Sequence, residues 1–289
     1  MTTARGPGGA YLDRLSDRIR LTRTSLCLGI DPDPRSLPSG FPDGLDGVEA
    51  FARLLLEAGV RHASAVKVNL AFFEAWGSPG IAALERLRKA APADLPFVAD
   101  AKRGDIASTS EQHAAWVFDG LGADAITVSP YVGLEGIAPL LERPGRFAYV
   151  LCRTSNPGAG EFQDLEVSTT DGDTPRPLYL HVARSVAEWD GGKGTCGLVV
   201  GATAPQQLAA ARDAAPGLAF LVPGVGRQGG DLDAVLRSGP ATDGRAGEVC
   251  GGALLVNVSR EVASSAMDAR DPAQALEAAA GGWADRLRV

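Results

Sequence analysis

A single (β/α)8 (TIM) barrel with an N-terminal helix is the fold class this chain predicts, on three observations. Eight short, β-rich apolar runs recur along its 289 residues, separated by amphipathic stretches. Strands alternating with helices build βαβ units and a parallel sheet. The runs are nearly continuous in apolar side chains, as in a sheet covered on both faces. No break in composition divides the chain, and α/β barrels reach ~250 residues as one domain. One barrel domain over residues 1–289 is the expectation.

The elements follow in order. A glycine-rich start, residues 1–10, is expected to fray ahead of the helical pattern YLDRLSDRIRL. The strands are LCLGID (26–31), SAVKVN (64–69), PFVADAK (96–102), AITVSP (125–130), AYVLCRT (148–154), GLVVGA (197–202), FLVPGV (220–225) and ALLVNVS (253–259). Helical patterns lie between them, among them VEAFARLLLEAGVRHA, IAALERLRKAA, STSEQHAAWVFDGLG, LYLHVARSVAEWD and APQQLAAARDAA. Two stretches break the rhythm. Residues 155–177 form a long polar connection rich in Gly, Pro, Asp and Thr, an insertion or mobile loop of the length that functional lids have. Residues 239–251 form a looser segment before the last strand.

Composition excludes several function classes. With 28 Lys and Arg against 35 Asp and Glu, the formal net charge is −7. A nucleic-acid coat or an anionic membrane surface calls for a basic face and is not the expected partner. A local basic pocket for one small phosphate is compatible with that balance. No apolar run approaches the ~20 residues that span a bilayer, and the N-terminus has no apolar signal core. A cytoplasmic location is therefore expected. Cys27, Cys152, Cys196 and Cys250 form no C-x-x-C pair, and Cys27 and Cys152 read as small buried thiols. His62, His113 and His181 are far apart, so histidine-based metal or triad chemistry has no support.

Barrel active sites sit at the C-terminal strand ends, where polar residues should interrupt apolar runs. Those ends carry Asp31; Lys67 and Asn69; Asp100, Lys102 and Asp105; Ser129; Arg153, Thr154 and Ser155; and Asn257, Ser259 and Arg260. The densest cluster is VADAKRGDI, residues 98–106. Asp100 and Lys102 are two apart on a strand and leave the same face. Lys67 stands at comparable height on the neighbouring strand, and Asp105 follows in a loop. Two ammonium groups and two carboxylates can alternate, each holding its neighbours in the charged form. The competing reading is an ion-pair network that only locks two strands together. A second cluster, PGVGRQGG at 223–230, has glycines that permit positive φ and leave N–H groups free to line an anion site. With Gln228, Ser259 and Arg260 it lies at the strand ends where barrels frequently bind phosphate. These residues point to a phosphate-bearing small molecule met by a Lys/Asp array. Asp100 and Asp105 could hold Mg²⁺, but Lys102 between them competes for both carboxylates.

The stretch Asp100, Lys102, Asp105, Ile106, in the pattern D-x-K-x-x-D-I, resembles the signature of orotidine 5′-phosphate decarboxylases. LCLGIDPDP, AVKVNLAFFEAWG, VADAKRGDIASTS, TVSPYVG, TSNPGAG, VVGATAPQ, VPGVGRQGG and VSRE extend the resemblance over most of the chain. It is greatest to the longer bacterial branch, type 2. The resemblance implies cofactor-independent, metal-free decarboxylation of orotidine 5′-monophosphate to UMP and CO2, the last step of de novo pyrimidine nucleotide synthesis. Lys67, Asp100, Lys102 and Asp105 then match the Lys-Asp-Lys-Asp array. Asp105, with Thr109 nearby, is delivered to the partner subunit's site in that family, which implies a homodimer with shared active sites. Asp31 and Lys67 match ribose-hydroxyl contacts, Ser155 the pyrimidine-contacting serine and Gln228 the residue bridging base and phosphate. Arg260 matches the phosphate-binding arginine, and Ser259 stands where shorter members have glycine.

Losing CO2 from C6 leaves a vinyl carbanion with no adjacent electron sink, so the Lys102 ammonium is the group expected to stabilise it and then protonate C6. Asp100 beside the substrate carboxylate adds a repulsion that vanishes when CO2 leaves. Two alternatives stand against this: a Mg²⁺-dependent sugar-phosphate decarboxylase of the same barrel group, and a non-catalytic phosphoribosyl-binding barrel.

Overall fold

The structure is a computed structural model that describes residues 9–168, 174–226 and 229–289. Ten strands are present among them: β1 (Leu26–Ile30), β2 (Ala65–Asn69), β3 (Phe97–Arg103), β4 (Ala125–Val128), β5 (Phe147–Arg153), β6 (Glu166–Val167), β7 (Arg176–Pro177), β8 (Cys196–Val200), β9 (Ala219–Pro223) and β10 (Leu255–Val258). Eight of them pair in parallel around a closed barrel in the order β1-β2-β3-β4-β5-β8-β9-β10, with β10 returning to β1. All eight expected strands are there, and the barrel expectation holds. Strands β6 and β7 form a small antiparallel ladder within the 155–177 connection.

The two-residue period of each strand sorts side chains between two cores. Outward residues such as Leu28, Val66, Ile126, Val150 and Leu198 pack beneath the surrounding helices. Inward residues begin apolar at the N-terminal end, with Cys27, Ala65, Val98, Ala125, Tyr149, Ala219 and Leu255 in one cluster. Two residues further along each strand the same inward face becomes Gly29, Lys67, Asp100, Thr127, Leu151, Leu221 and Asn257. The barrel interior therefore changes from apolar to polar along its axis, and its charged side chains collect at one end.

The helix Gly9–Thr22 closes the other end. Tyr11 is fully buried, stacks on Phe147 with ring centroids 4.7 Å apart, and shares a hydroxyl hydrogen bond of 3.1 Å with Tyr149. Buried Asp124 ties helix to barrel: Arg14 donates to its Oδ1, Arg146 donates at 3.3 Å, and the Phe97 N–H donates to Oδ2 at 2.9 Å. The expected fraying of residues 1–10 concerns mainly residues outside the described ones, but the helix already begins at Gly9. Cys27 and Cys152 are buried as expected, and burial pushes both thiols up to about 12. Among the described residues no helix is long and apolar enough to cross a membrane.

Because Tyr11 fills the apolar end of the barrel, Tyr11→Ala should cost about 3–5 kcal/mol of stability through lost burial and the cavity left behind. Urea unfolding checks it.

Candidate active site

The polar end of the barrel opens into a cavity of about 520 Å³. Its lining includes Asp31, Lys67, Asp100, Lys102, Ser155, Ser259 and Arg260, seven of the residues singled out in the sequence. They come from the ends of β1, β2, β3, β5 and β10, strands far apart in the chain that closure brings around one axis.

Asp100 is the centre of this group. Lys67 Nζ donates to its Oδ2 at 2.5 Å and Lys102 Nζ to its Oδ1 at 2.6 Å. The Thr127 hydroxyl also donates to Oδ1, at 2.9 Å. Lys67 Nζ lies 4.0 Å from Asp31 Oδ1 as well. The ladder pairs Asp100 with Asn69, while Lys67 pairs with Val98. Lys67 thus stands one inward layer below Asp100, not level with it as the strand ends suggested, and extends along the barrel axis to reach it. Lys67 is 5% and Asp100 8% exposed, whereas the Lys102 side chain is half exposed and open to the cavity.

Charge follows from this geometry. Burial by itself would pull the Lys67 ammonium down, but Asp100 and Asp31 overcome it and hold Lys67 above the ordinary lysine value. Burial pushes the Asp100 carboxyl up, and Lys67 and Lys102 outweigh it, holding Asp100 well below the usual carboxylate range. Lys67 and Asp100 therefore stay ionised throughout the neutral range.

Lys102 has a left-handed backbone, φ +49°. For a non-glycine residue this conformation costs about 1–3 kcal/mol and needs support from its surroundings. Thr127 supplies it: its Oγ1 accepts from both Ala101 N–H and Lys102 N–H at 3.0 Å while donating to Asp100. One hydrogen and two lone pairs are all used. The β3–β4 register shifts between Ala99 and Arg103, so the strand is bulged where Lys102 leaves it. Thr127 lies two residues inside the strand end at Ser129 and is not among the residues expected at the site. The available signal is a polar residue two before Ser129 inside AITVSP, hence on the same inward face.

Asp105 and Thr109 do not line this cavity. Asp105 is exposed, its Oδ1 accepts from Ile106 N–H at 2.7 Å, and among the described residues it forms no ion pair. Thr109 is half-buried on the helix Ala107–Ala114. The expected four-charge array is therefore three charges within one chain, Lys67, Asp100 and Lys102, joined by Asp31. Gln228 lies outside the described residues. The glycine-rich loop around it does use positive φ, at Gly224 (+99°) and Gly226 (+82°), and a Cβ on Gly226 would stand 2.4 Å from Glu261 Cγ. Asn69 and Asn257, expected at strand ends without a role, and Gln163 and Glu261, not among the expected site residues, all line the cavity. Asn257 is 7% exposed, and among the described residues nothing donates to its Oδ1. Among the described residues no group of three or more His, Cys, Asp or Glu side chains is gathered as a metal site.

Asp100→Asn leaves the buried Lys67 ammonium without its nearest partner and should cost about 3–5 kcal/mol at pH 7. The depressed Asp100 value contributes stability that is present above the unfolded carboxylate value, about 3.9, and is lost as pH falls toward the folded value. The raised Lys67 value contributes stability present below about 10.4 and lost as pH rises through the folded value. The wild-type advantage over Asp100→Asn should therefore shrink below about pH 4, measured by urea titration from pH 7 to pH 3.

Likeness to known proteins extends over most of the chain. The family model "Orotidine 5′-phosphate decarboxylase / HUMPS family" matches residues 24–279. The orotidine 5′-phosphate decarboxylase of Roseiflexus castenholzii is 45% identical over 252 residues, 87% of this chain and 88% of that protein. That of Thermomicrobium roseum is 43% identical over 270 residues, 93% and 92% of the two chains. The structure of Leishmania donovani OMP decarboxylase superposes with a TM-score of 0.80 at 38% identity, covering 96% of this chain and 97% of the other. With the family model and both relatives matching over most of its length, the chain belongs to the orotidine 5′-phosphate decarboxylase / HUMPS family.

Proposed function

We propose that this chain removes CO2 from orotidine 5′-monophosphate to give UMP, using its own side chains in place of a cofactor. The observation that carries the reading is the Lys67–Asp100–Lys102 cluster, with Lys102 the member open to the cavity. Decarboxylation leaves an electron pair on C6, and a preorganised ammonium is worth far more to it in a partly desolvated site than in water. Lys102 stabilises that pair and then gives its proton to C6, forming the C–H bond as the C–C bond to CO2 is lost. Asp100 and Thr127 orient Lys102 for this. Asp31 and Lys67 receive the ribose hydroxyls, Ser155 meets the pyrimidine, and Arg260 with Gln228 and the Ser259 backbone holds the phosphate. Phosphate binding far from C6 supplies energy for orientation at the reacting carbon.

The two bacterial relatives support this substrate over the sugar phosphates of the alternative reading, since both are named for orotidine 5′-phosphate. A non-catalytic binding barrel leaves the Lys/Asp cluster without a purpose.

The site is completed across a homodimer. Asp105 is exposed beside an apolar surface in which Ile106 is 63% and Tyr131 91% exposed, flanked by Val132 and Leu134. These belong to one packed region, because a Cβ on Gly136 would stand 2.6 Å from Asp105 O and 2.7 Å from Val132 Cγ2. Apolar patches of this kind mark protein–protein contacts. A twofold axis there carries Asp105 and Thr109 to the partner's cavity.

Ultraviolet absorbance of orotidine 5′-monophosphate with the purified protein in EDTA tests the reaction. Conversion should persist in EDTA and fall at least a thousandfold in Lys102→Ala, roughly the scale of losing the principal charge-stabilising group. No conversion by wild type would return the sugar-phosphate reading, with Mg²⁺ as its next test. Mixing Lys102→Ala with Asp105→Ala protomers tests the shared site. Each parent should be inactive, and exchange should restore about a quarter of wild-type activity, because half the dimers are mixed and carry one intact site. A mixture that stays inactive while its subunits exchange would refute the sharing.

A further inference from the structure

The barrel ladder ends at Arg153, which pairs with Val200. Residues 154–156 run beyond it into the cavity wall, so side chains rather than a neighbouring strand must fix their conformation. The short helix Gly160–Gln163, early in the 155–177 connection, does this. The Thr154 N–H donates to Gln163 Oε1 at 2.8 Å, and Gln163 Nε2 donates back to Thr154 Oγ1 at 3.0 Å. The Thr154 hydroxyl then donates to Asn156 Oδ1 at 2.7 Å. The next residue after the helix, Asp164, takes a two-pronged bond from Arg153 at 2.8 and 2.9 Å, and Arg153 Nη1 donates to Thr154 O at 2.7 Å. The N–H, hydroxyl and carbonyl of Thr154 are thus all held. From below, Gly201 supports Ser155 so closely that a Cβ there would stand 2.8 Å from Ser155 Cα.

We propose that Gln163 is a positioning residue for recognition of the pyrimidine base, and that the first part of the 155–177 connection serves as a clamp on the end of β5. Through Thr154 the Gln163 amide sets the direction in which Ser155 and Asn156 face the cavity. A planar base read by one strand end requires that end to be ordered before the ligand arrives, since ordering on binding lowers affinity. Gln163 itself lines the cavity, so it is in place to act at the base end. The inference rests on the functional reading above for the identity of the ligand. The clamp stands on the geometry alone.

Two readouts test it in Gln163→Ala and Gln163→Glu. Hydrogen exchange of the ligand-free protein should become several-fold faster at residues 154–156 in Gln163→Ala, with the unfolding midpoint unchanged. Affinity for UMP should fall about tenfold, the scale of losing the order imposed by two hydrogen bonds. Affinity for ribose 5-phosphate, which has no base, should stay within about twofold, and KM for orotidine 5′-monophosphate should rise more than kcat falls. Gln163→Glu keeps the acceptor for Thr154 N–H and should recover most of the UMP affinity. Equal losses for UMP and ribose 5-phosphate, or faster exchange with UMP affinity unaltered, overturn the base-positioning role. Unaltered exchange in Gln163→Ala overturns the clamp. A wild type that does not decarboxylate orotidine 5′-monophosphate fails the functional reading instead, and hydrogen exchange then decides the clamp by itself.

Discussion

A carboxylate buried at the polar end of a barrel constrains everything around it. Asp100 would carry a desolvation cost of several kcal/mol if left alone. Two ammonium groups and a hydroxyl compensate it, and each must arrive from a different strand or a different turn of the same strand. That requirement sets the β2–β3 register, the bulge at the end of β3 and the left-handed backbone of Lys102. Thr127 joins these, because one hydroxyl both stabilises the strained backbone and completes the carboxylate's coordination. The result is a lysine whose direction is fixed before any ligand enters, the preorganisation that the proposed stabilisation of a carbanion requires.

Stability and chemistry are divided along the barrel axis. Toward the N-terminal strand ends the interior is closed by Tyr11, Phe147 and Tyr149, with Asp124 binding arginines from helix and loop. Toward the C-terminal ends the same inward positions carry Lys67, Asp100, Thr127 and Asn257. The apolar end supplies burial that offsets the cost of holding charged groups at the other. Both cation partners of Asp100 occupy its oxygens, so the cluster presents an ammonium, rather than a free carboxylate, to whatever occupies the cavity.

The fold was legible because its signals are local. Each strand is a short apolar run between turn residues, and eight of them in one chain leave few alternatives to a barrel. Lys67, Asp100 and Lys102 were legible for a related reason: charges ending apolar strands are costly without partners. The roles of Thr127, Asn257 and Gln163 were not. Thr127 and Asn257 are ordinary polar residues in strand-like runs, and their importance comes from the neighbours that closure gives them. Gln163 sits in a polar connection whose sequence carries no periodic pattern, and nothing local says that it turns back onto Thr154.

By itself the sequence determined the order of elements, the apolar-to-polar gradient on the inward faces and the residue types that could bear the reaction. These depend on neighbours two to four residues apart, which the chain states directly. Only the tertiary structure decided that Lys67 reaches Asp100 from one layer below, that Lys102 leaves a bulged, left-handed strand end, and that Asp105 faces outward near Ile106 and Val132. Those outcomes depend on register, strand closure and backbone conformation, which are settled by contacts between residues distant in the chain.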